Sequence, residues 1–216
     1  MRAIIFAGGQ ATTIEEGRFA ALDGDLILGA DGGAALALEQ GLVPHLVIGD
    51  MDSLRESEQS VLASRGCRFI THPREKDESE LELALTYAVE QGAEEILILG
   101  ALGGRLDHTL ANILLLSLPV LKGIVARIVD GDEEAVLVRG GESVTMAGRP
   151  GDLVSLLPLG GEVLGVSTTG LAWALAGDTL RFGHTRGVSN EMIASAAQIS
   201  VGQGHLLVIH SPPPDD

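Results

Sequence analysis

The stretch EEILILGALGGRLDHTLANILLLSLP, residues 94–119, decides the fold class. Residues 95–99 form an apolar run of buried-strand length, glycines follow, and residues 106–118 read as a helix closed by Pro119. Strand, glycine turn and helix in succession are the repeating unit of a parallel sheet covered on both faces. The same texture recurs toward the N-terminus. Residues 3–7, 26–30, 46–48 and 67–71 are predicted strands, and residues 34–40 a short helix stopped by Gly41. Residues 78–91 carry Leu81, Leu85, Ala88 and Val89 at close to helical spacing, which predicts a longer helix.

Beyond about residue 125 the helical period fades. Short strands are predicted at 128–129, 134–138, 143–146, 153–157, 171–175, 198–201 and 206–209, punctuated by Gly, Asp and Pro. The expected organisation is a Rossmann-like α/β parallel-sheet domain at 1–125, a smaller all-β sandwich at 126–211 and a mobile tail at 212–216, which begins with three prolines.

The net charge of −16, from 30 acidic and 14 basic residues, argues against a nucleic-acid partner, because a phosphate backbone needs a positive surface. It does not exclude a nucleotide, since a few local cations and a metal ion outweigh the global field. No run approaches 18 apolar residues, so no membrane span is expected. MRAIIFAGG at the N-terminus reads as a buried strand rather than a signal peptide. Cys67 is the only cysteine, which rules out an internal disulfide and a cysteine metal cluster and fits a reducing cytoplasm.

Four acidic segments set beside glycines carry the chemistry: ADGG at 30–33, IGDMDS at 48–53, KDESE at 76–80 and GGRLDH at 103–108. Asp31, Asp50 and Asp52 fall at the carboxyl ends of predicted strands, where doubly wound sheets bind ligands. If residues 50–52 are extended, Asp50 and Asp52 face the same way, and two carboxylates aimed at one point call for a cation. A solvated acidic turn is the other reading. In KDESE, Asp77 with Glu80, or Ser79 with Glu82, makes a capping box, while Lys76 beside a helix N-terminus suits an anionic oxygen. In GGRLDH, Gly103 and Gly104 permit close backbone approach and Arg105 suits phosphate oxygens. Asp107 reads as a metal ligand, a cap or a base, and His108 as an orienting group or a cap. Together these point to a divalent metal on a polyphosphate.

No Walker loop, GxGxxG, HExxH, CxxC or GxSxG occurs, which disfavours dinucleotide binding, zinc enzymes and serine hydrolases. Phe6 to Gly9 ends the first strand and either lies under a nucleotide or merely turns. His45 and His72 read as surface histidines. Trp173, the only tryptophan, is either a core residue or a stacking surface for a flat heteroaromatic ring. Ser189 and Asn190 in RGVSNE offer polar contacts for such a ring, or a turn.

In order and spacing these blocks resemble the thiamine pyrophosphokinase family of bacterial type. The matching runs are 29–53, 76–85, 100–116 (GALGGRLDHTLANILLL), 151–160, 165–175 (GVSTTGLAWAL) and 187–191, and the likeness extends from residue 1 to about 210. The resemblance implies transfer of the pyrophosphoryl unit of ATP to the hydroxyl of thiamine, giving thiamine diphosphate and AMP. It implies a homodimer with thiamine at the subunit interface and Mg²⁺ beside the acidic loops. Carried over residue by residue, Asp31, Lys76, Ser79, Gly104 and His108 would meet the nucleotide. Asp50, Asp52, Asp77, Arg105 and Asp107 would be catalytic, with Asp107 or Asp77 as a base. Asp50, Asp52, Asp77 and Glu80 would hold the metal, and Trp173, Ser189 and Asn190 would hold thiamine. Two positions depart from the family's usual pattern: Ser79-Glu80 stands in place of Thr-Asp, and Met51 in place of Phe. A hydroxymethylpterin acceptor, or nucleotide binding without turnover, are the competing functions.

Overall fold

A computed structural model describes residues 1–9 and 20–213. The chain divides into two compact units, Met1–Gly131 and Asp132–Asp216. The boundary falls six residues beyond the expected one at 125/126, because residues 125–130 form a strand that pairs in parallel with residues 95–99. Of the expected mobile tail, residues 214–216 lie outside the described residues.

The first unit runs β1 (Arg2–Phe6), β2 (Leu26–Ala30), α1 (Gly33–Glu39), β3 (Leu46–Gly49), α2 (Glu56–Ser64), β4 (Arg68–Thr71), α3 (Glu80–Glu90), β5 (Glu95–Leu99), α4 (Leu106–Leu115), a 3-10 turn at Pro119–Leu121 and β6 (Val125–Asp130). These strands pair in parallel in the order β6-β5-β1-β2-β3-β4. Successive strands step outward from β1 to β4, and the chain then returns to the other side of β1 with β5. The order therefore reverses between β1 and β5, where such sheets open a crevice at their carboxyl ends.

Strands β1, β2, β3 and β5 are buried almost throughout, as continuous apolar runs require of a sheet covered on both faces. On one face Ile4, Phe6, Leu97 and Leu99 meet Ala37 of α1, while Val47 meets Ala34 of α1 and Leu62 of α2. Helix α3 buries Leu81, Ala84, Leu85 and Ala88 and packs across β1, β2 and β3. Val89, expected on that face, is only half-buried. Ser79 caps α3, its Oγ accepting the N–H of Glu82 at 3.3 Å, so the second of the two capping patterns is the one used. Helix α2 escapes sequence reading because it buries Leu62 alone. Helix α4 ends three residues before the predicted boundary, and the turn at Pro119 follows it.

The second unit contains β7 (Glu133–Arg139), β8 (Ser143–Ala147), β9 (Leu153–Pro158), β10 (Val163–Thr169), β11 (Ala176–Leu180), β12 (Asn190–Glu191), β13 (Ala196–Ser200) and β14 (His205–Ser211). Within it β12-β9-β14-β7 form one antiparallel sheet and β11-β10-β13-β8 another. Their inward residues, among them Val136, Met146, Leu156, Val166, Ile199 and Val208, make a common core. Alternating burial along β8 and β9 is the pattern of a sandwich strand. The strand expected at 171–175 does not form. Leu171 makes a single bridge to Met192, and the chain then bends.

One polar cluster is buried in this unit. His210 Nε2 lies 2.9 Å from Asp152 Oδ2, and His210 Nδ1 lies 3.9 Å from Glu134 Oε1. A Cβ on Gly148 would sit 2.7 Å from both Asp152 Oδ2 and His210 Nε2, so only glycine lets the chain pass over the pair. Burial works to raise the Asp152 pKa, but the Arg149 N–H and His210 together bring it below its usual value. The pair then stabilises the fold above the ordinary carboxylate pKa, and that contribution is lost as the pH falls through the lowered one. Truncation by His210→Ala strands a buried carboxylate. It should cost about 3 kcal/mol of stability, measured by urea unfolding at neutral pH.

Candidate active site

Three aspartates converge at the carboxyl end of the parallel sheet. Asp31 follows β2, and Asp50 and Asp52 follow β3. One carboxylate oxygen from each lies within 4.8 Å of the others. Glycine makes this approach possible, because a Cβ on Gly49 would sit 2.8 Å from the Cβ of Asp31. A Cβ on Gly33 would sit 1.9 Å from the Phe6 carbonyl oxygen, so glycine also sets how closely α1 begins against β1.

The backbone between Asp50 and Asp52 is not extended, contrary to expectation. Met51 lies at φ 66° and Asp31 at φ 44°, both in the left-handed region. The chain has to leave β3 in a tight turn, which is fixed by the Asp52 N–H donating to Asp50 Oδ1 at 3.0 Å. Backbone of this kind in non-glycine residues is strained and gathers at ligand sites.

The three carboxylates differ in environment. Asp31 is buried, 8% exposed, and its Oδ1 has no hydrogen-bond partner. Burial raises its pKa, the charges of Asp50 and Asp52 push the same way, and Ser53 and the Gly32 N–H offset this only in part. Asp50 moves in the opposite direction, lowered first by the Asp52 N–H and further by Lys76 and Arg74. Asp52 accepts from Ser53 Oγ at 3.1 Å and faces Arg74 Nη1 at 3.8 Å. A buried carboxylate oxygen without a donor, facing two more carboxylates, is the donor set of a hard divalent cation. These residues fit Mg²⁺.

Of the expected metal set of Asp50, Asp52, Asp77 and Glu80, the group within 4.8 Å contains Asp50 and Asp52, together with Asp31 rather than Asp77 or Glu80. Asp77 is exposed in the turn before α3. Lys76 Nζ donates to Glu80 Oε1 at 2.6 Å. That bond, foremost, raises the Lys76 pKa, with further contributions from Asp50 and Asp31.

A cavity of about 380 Å³ opens beside the trio. It is lined by Gly8 and Gly9 after β1, Asp31, Gly32 and Ser53, Ser79 and Glu80, and Gly103, Gly104, Arg105, His108 and Asn112 around the start of α4. It lies where β1 and β5 end, at the reversal of strand order. Gly103 and Gly104 take φ of 79° and 68°, as the turn requires. Arg105 grips Asp107 with two bonds, Nε to Oδ1 at 3.1 Å and Nη2 to Oδ2 at 2.6 Å. That grip, with the His108 N–H, lowers the Asp107 pKa to about 2. A carboxylate so weakly basic is poorly suited to the expected role of a general base. Sequence reading missed Ser53 and Asn112. Asn112 stands four residues after His108 on one helix face, a spacing that would have revealed it. Its Nδ2 donates to the Ala101 carbonyl at 2.8 Å and ties the glycine loop to α4.

In the second unit Trp173 is 64% exposed, which excludes the core reading. Asn190 is buried and spends its amide on the Trp173 backbone. Its Oδ1 accepts the Trp173 N–H at 3.0 Å and its Nδ2 donates to the Trp173 carbonyl at 2.8 Å. Asn190 thus fixes the loop that carries the indole. Ser189, at φ 56°, is exposed, and its N–H donates to Ser155 Oγ.

Without a cation, Asp31 is ionised against burial, and stability falls as pH rises from the ordinary carboxylate pKa through Asp31's raised one. Asp31→Asn, which tolerates the left-handed backbone, should therefore raise the melting temperature of metal-free protein at pH 7. It should also abolish any stabilisation by added Mg²⁺, both read in one thermal-melt series.

The sequence matches the profile of the thiamin pyrophosphokinase catalytic domain over residues 21–126 and that of the thiamin pyrophosphokinase vitamin B1 binding domain over 143–206. It is 30% identical to thiamine pyrophosphokinase of Bacillus subtilis across 96% of this chain and 97% of that protein. The crystal structure of thiamine pyrophosphokinase from Bacillus subtilis superposes with a TM-score of 0.87 at 28% identity, over 98% of this chain and 99% of that one. The thiamin pyrophosphokinase structure from Geobacillus thermodenitrificans gives 0.84 at 30% identity, over 100% and 99%. With two domain profiles in order and relatives matched end to end, the chain belongs to the thiamine pyrophosphokinase family.

Proposed function

We propose that this chain is a thiamine pyrophosphokinase that transfers the pyrophosphoryl group of ATP to the hydroxyl of thiamine, giving thiamine diphosphate and AMP. The observation that carries the reading is the convergence of Asp31, Asp50 and Asp52, with an orphaned buried oxygen on Asp31, which itself lines a cavity at the strand-order reversal of a parallel sheet. Family membership and the vitamin B1 binding profile over 143–206 support thiamine as the acceptor.

The hydroxyl of thiamine attacks the β-phosphorus of ATP in line, and AMP leaves. Asp31, Asp50 and Asp52 would hold Mg²⁺, which would supply positive charge to offset that of the polyphosphate. The chain's own residues do the rest by position and electrostatics. Gly103 and Gly104 let backbone approach the phosphates. Lys76 and Arg105 face the charge that grows on the oxygens between the parting groups. Asp107 holds the Arg105 guanidinium in orientation rather than taking a proton, and a loose transition state asks little of a base. Trp173 offers its exposed face to a thiamine ring, with Ser189 beside it and Asn190 bracing the loop. Dimerisation, with thiamine between subunits, and a cytoplasmic location belong to the same proposal.

The deciding assay mixes purified protein with ATP, Mg²⁺ and thiamine and measures AMP and thiamine diphosphate together. Equal amounts of both are expected. AMP formed only with a hydroxymethylpterin would move the acceptor, and nucleotide binding without AMP would remove catalysis altogether. Trp173→Ala should raise the thiamine KM by about 5- to 100-fold while leaving the ATP KM alone, the scale of one aromatic–ring stack. An unchanged thiamine KM would separate Trp173 from the acceptor.

A further inference from the structure

Glu80 stands where the family pattern has an aspartate, and its extra methylene has a visible use. As the first residue of α3, which is fixed by the Ser79 cap, it sits on a rigid element and lines the cavity. Its carboxylate lies outside the Asp31, Asp50 and Asp52 group. It turns back one helical turn instead and accepts from Lys76 Nζ at 2.6 Å. Lys76, on the irregular segment before α3, keeps only 10% of its side-chain exposure, and Glu80 keeps 34%. The side chain is thus largely covered and its ammonium is paired with a single carboxylate, while still feeling the charges of Asp50 and Asp31.

A lysine stem is flexible, and an unrestrained ammonium beside three carboxylates would fold onto them and occupy the place of a cation. A fourth carboxylate among those three would add repulsion that one divalent ion offsets poorly. Pairing Glu80 with Lys76 removes both conflicts. We propose that Glu80 is a positioning residue for Lys76: it does not ligate magnesium but holds the lysine ammonium at the rim of the aspartate trio, where it meets the polyphosphate. An aspartate at this place would fall about 1.5 Å short of the same grip. The assignment rests on the magnesium–ATP reading of the site given above.

The test uses the full chain as wild type, Glu80→Gln, Lys76→Met and the double variant, each shown by thermal melt to be folded. Calorimetry follows binding of a non-hydrolysable ATP analogue at saturating magnesium, and then the magnesium midpoint at saturating analogue. Glu80→Gln should weaken the analogue about tenfold, as loss of a charge-assisted hydrogen bond does. It should raise the magnesium midpoint only while Lys76 is present, because the freed ammonium competes for the aspartates, and have no further effect in the Lys76→Met background. Glu80→Asp should fall between wild type and Glu80→Gln. A magnesium midpoint raised by Glu80→Gln, equally with and without Lys76, would make Glu80 a metal ligand and overturn the assignment. So would an unchanged analogue affinity in Glu80→Gln. Wild type that binds no analogue with magnesium would fail differently, taking down the ATP reading itself and this assignment with it.

Discussion

Three negative charges pressed together at the end of a buried sheet are the constraint on which the first unit turns. Asp31, Asp50 and Asp52 repel one another, and Asp31 is desolvated as well, with one oxygen unanswered. The fold offsets this with backbone first and with the nearby charges of Lys76 and Arg74 second. Gly49 admits Asp31 against β3, the Asp52 N–H ties Asp50, and Met51 accepts a left-handed conformation that its side chain disfavours. Such a cluster is poised for a cation, because a divalent ion turns each of these costs into an attraction.

The surrounding charges are arranged in pairs around that trio. Lys76 is held by Glu80, Arg105 by Asp107, and Arg74 leans toward Asp52. In a chain with a net charge of −16, these few cations stand at fixed points beside the acidic site, as the proposed polyphosphate requires. The pairing also sorts the acids by task. Asp107, lowered to about 2, pairs with a guanidinium, whereas Asp31, raised by burial, keeps one oxygen without a partner. The two glycine-bearing loops at the ends of β1 and β5 then leave open a space lined by Asp31, Glu80 and Arg105.

Much of this was legible in the sequence for physical reasons. Buried parallel strands must be short continuous apolar runs, so β1, β2, β3 and β5 announced themselves, and so did α3 through its period. The acidic blocks were visible because loops at strand ends carry ligands. Other features were hidden in equally physical ways. β10 and β11 contain Gly165 and Gly177 at positive φ, which break the alternation a strand should show. Residues 171–175 are apolar enough for a strand, yet the Trp173 and Leu175 N–H groups donate to the Asn190 and Thr168 side chains and the chain bends there. The turn at Met51, which sets Asp50 and Asp52 beside Asp31, depends on backbone dihedrals and leaves no mark in residue type.

The most direct measurement is a crystal of the protein grown with Mn²⁺ in place of Mg²⁺ and a non-hydrolysable ATP analogue, with anomalous diffraction recorded to locate the metal. The account predicts a manganese peak between the carboxylates of Asp31, Asp50 and Asp52 and in contact with the analogue's phosphates, with Glu80 still on Lys76. A peak bound through Asp77 and Glu80, with Asp31 left out, would contradict it.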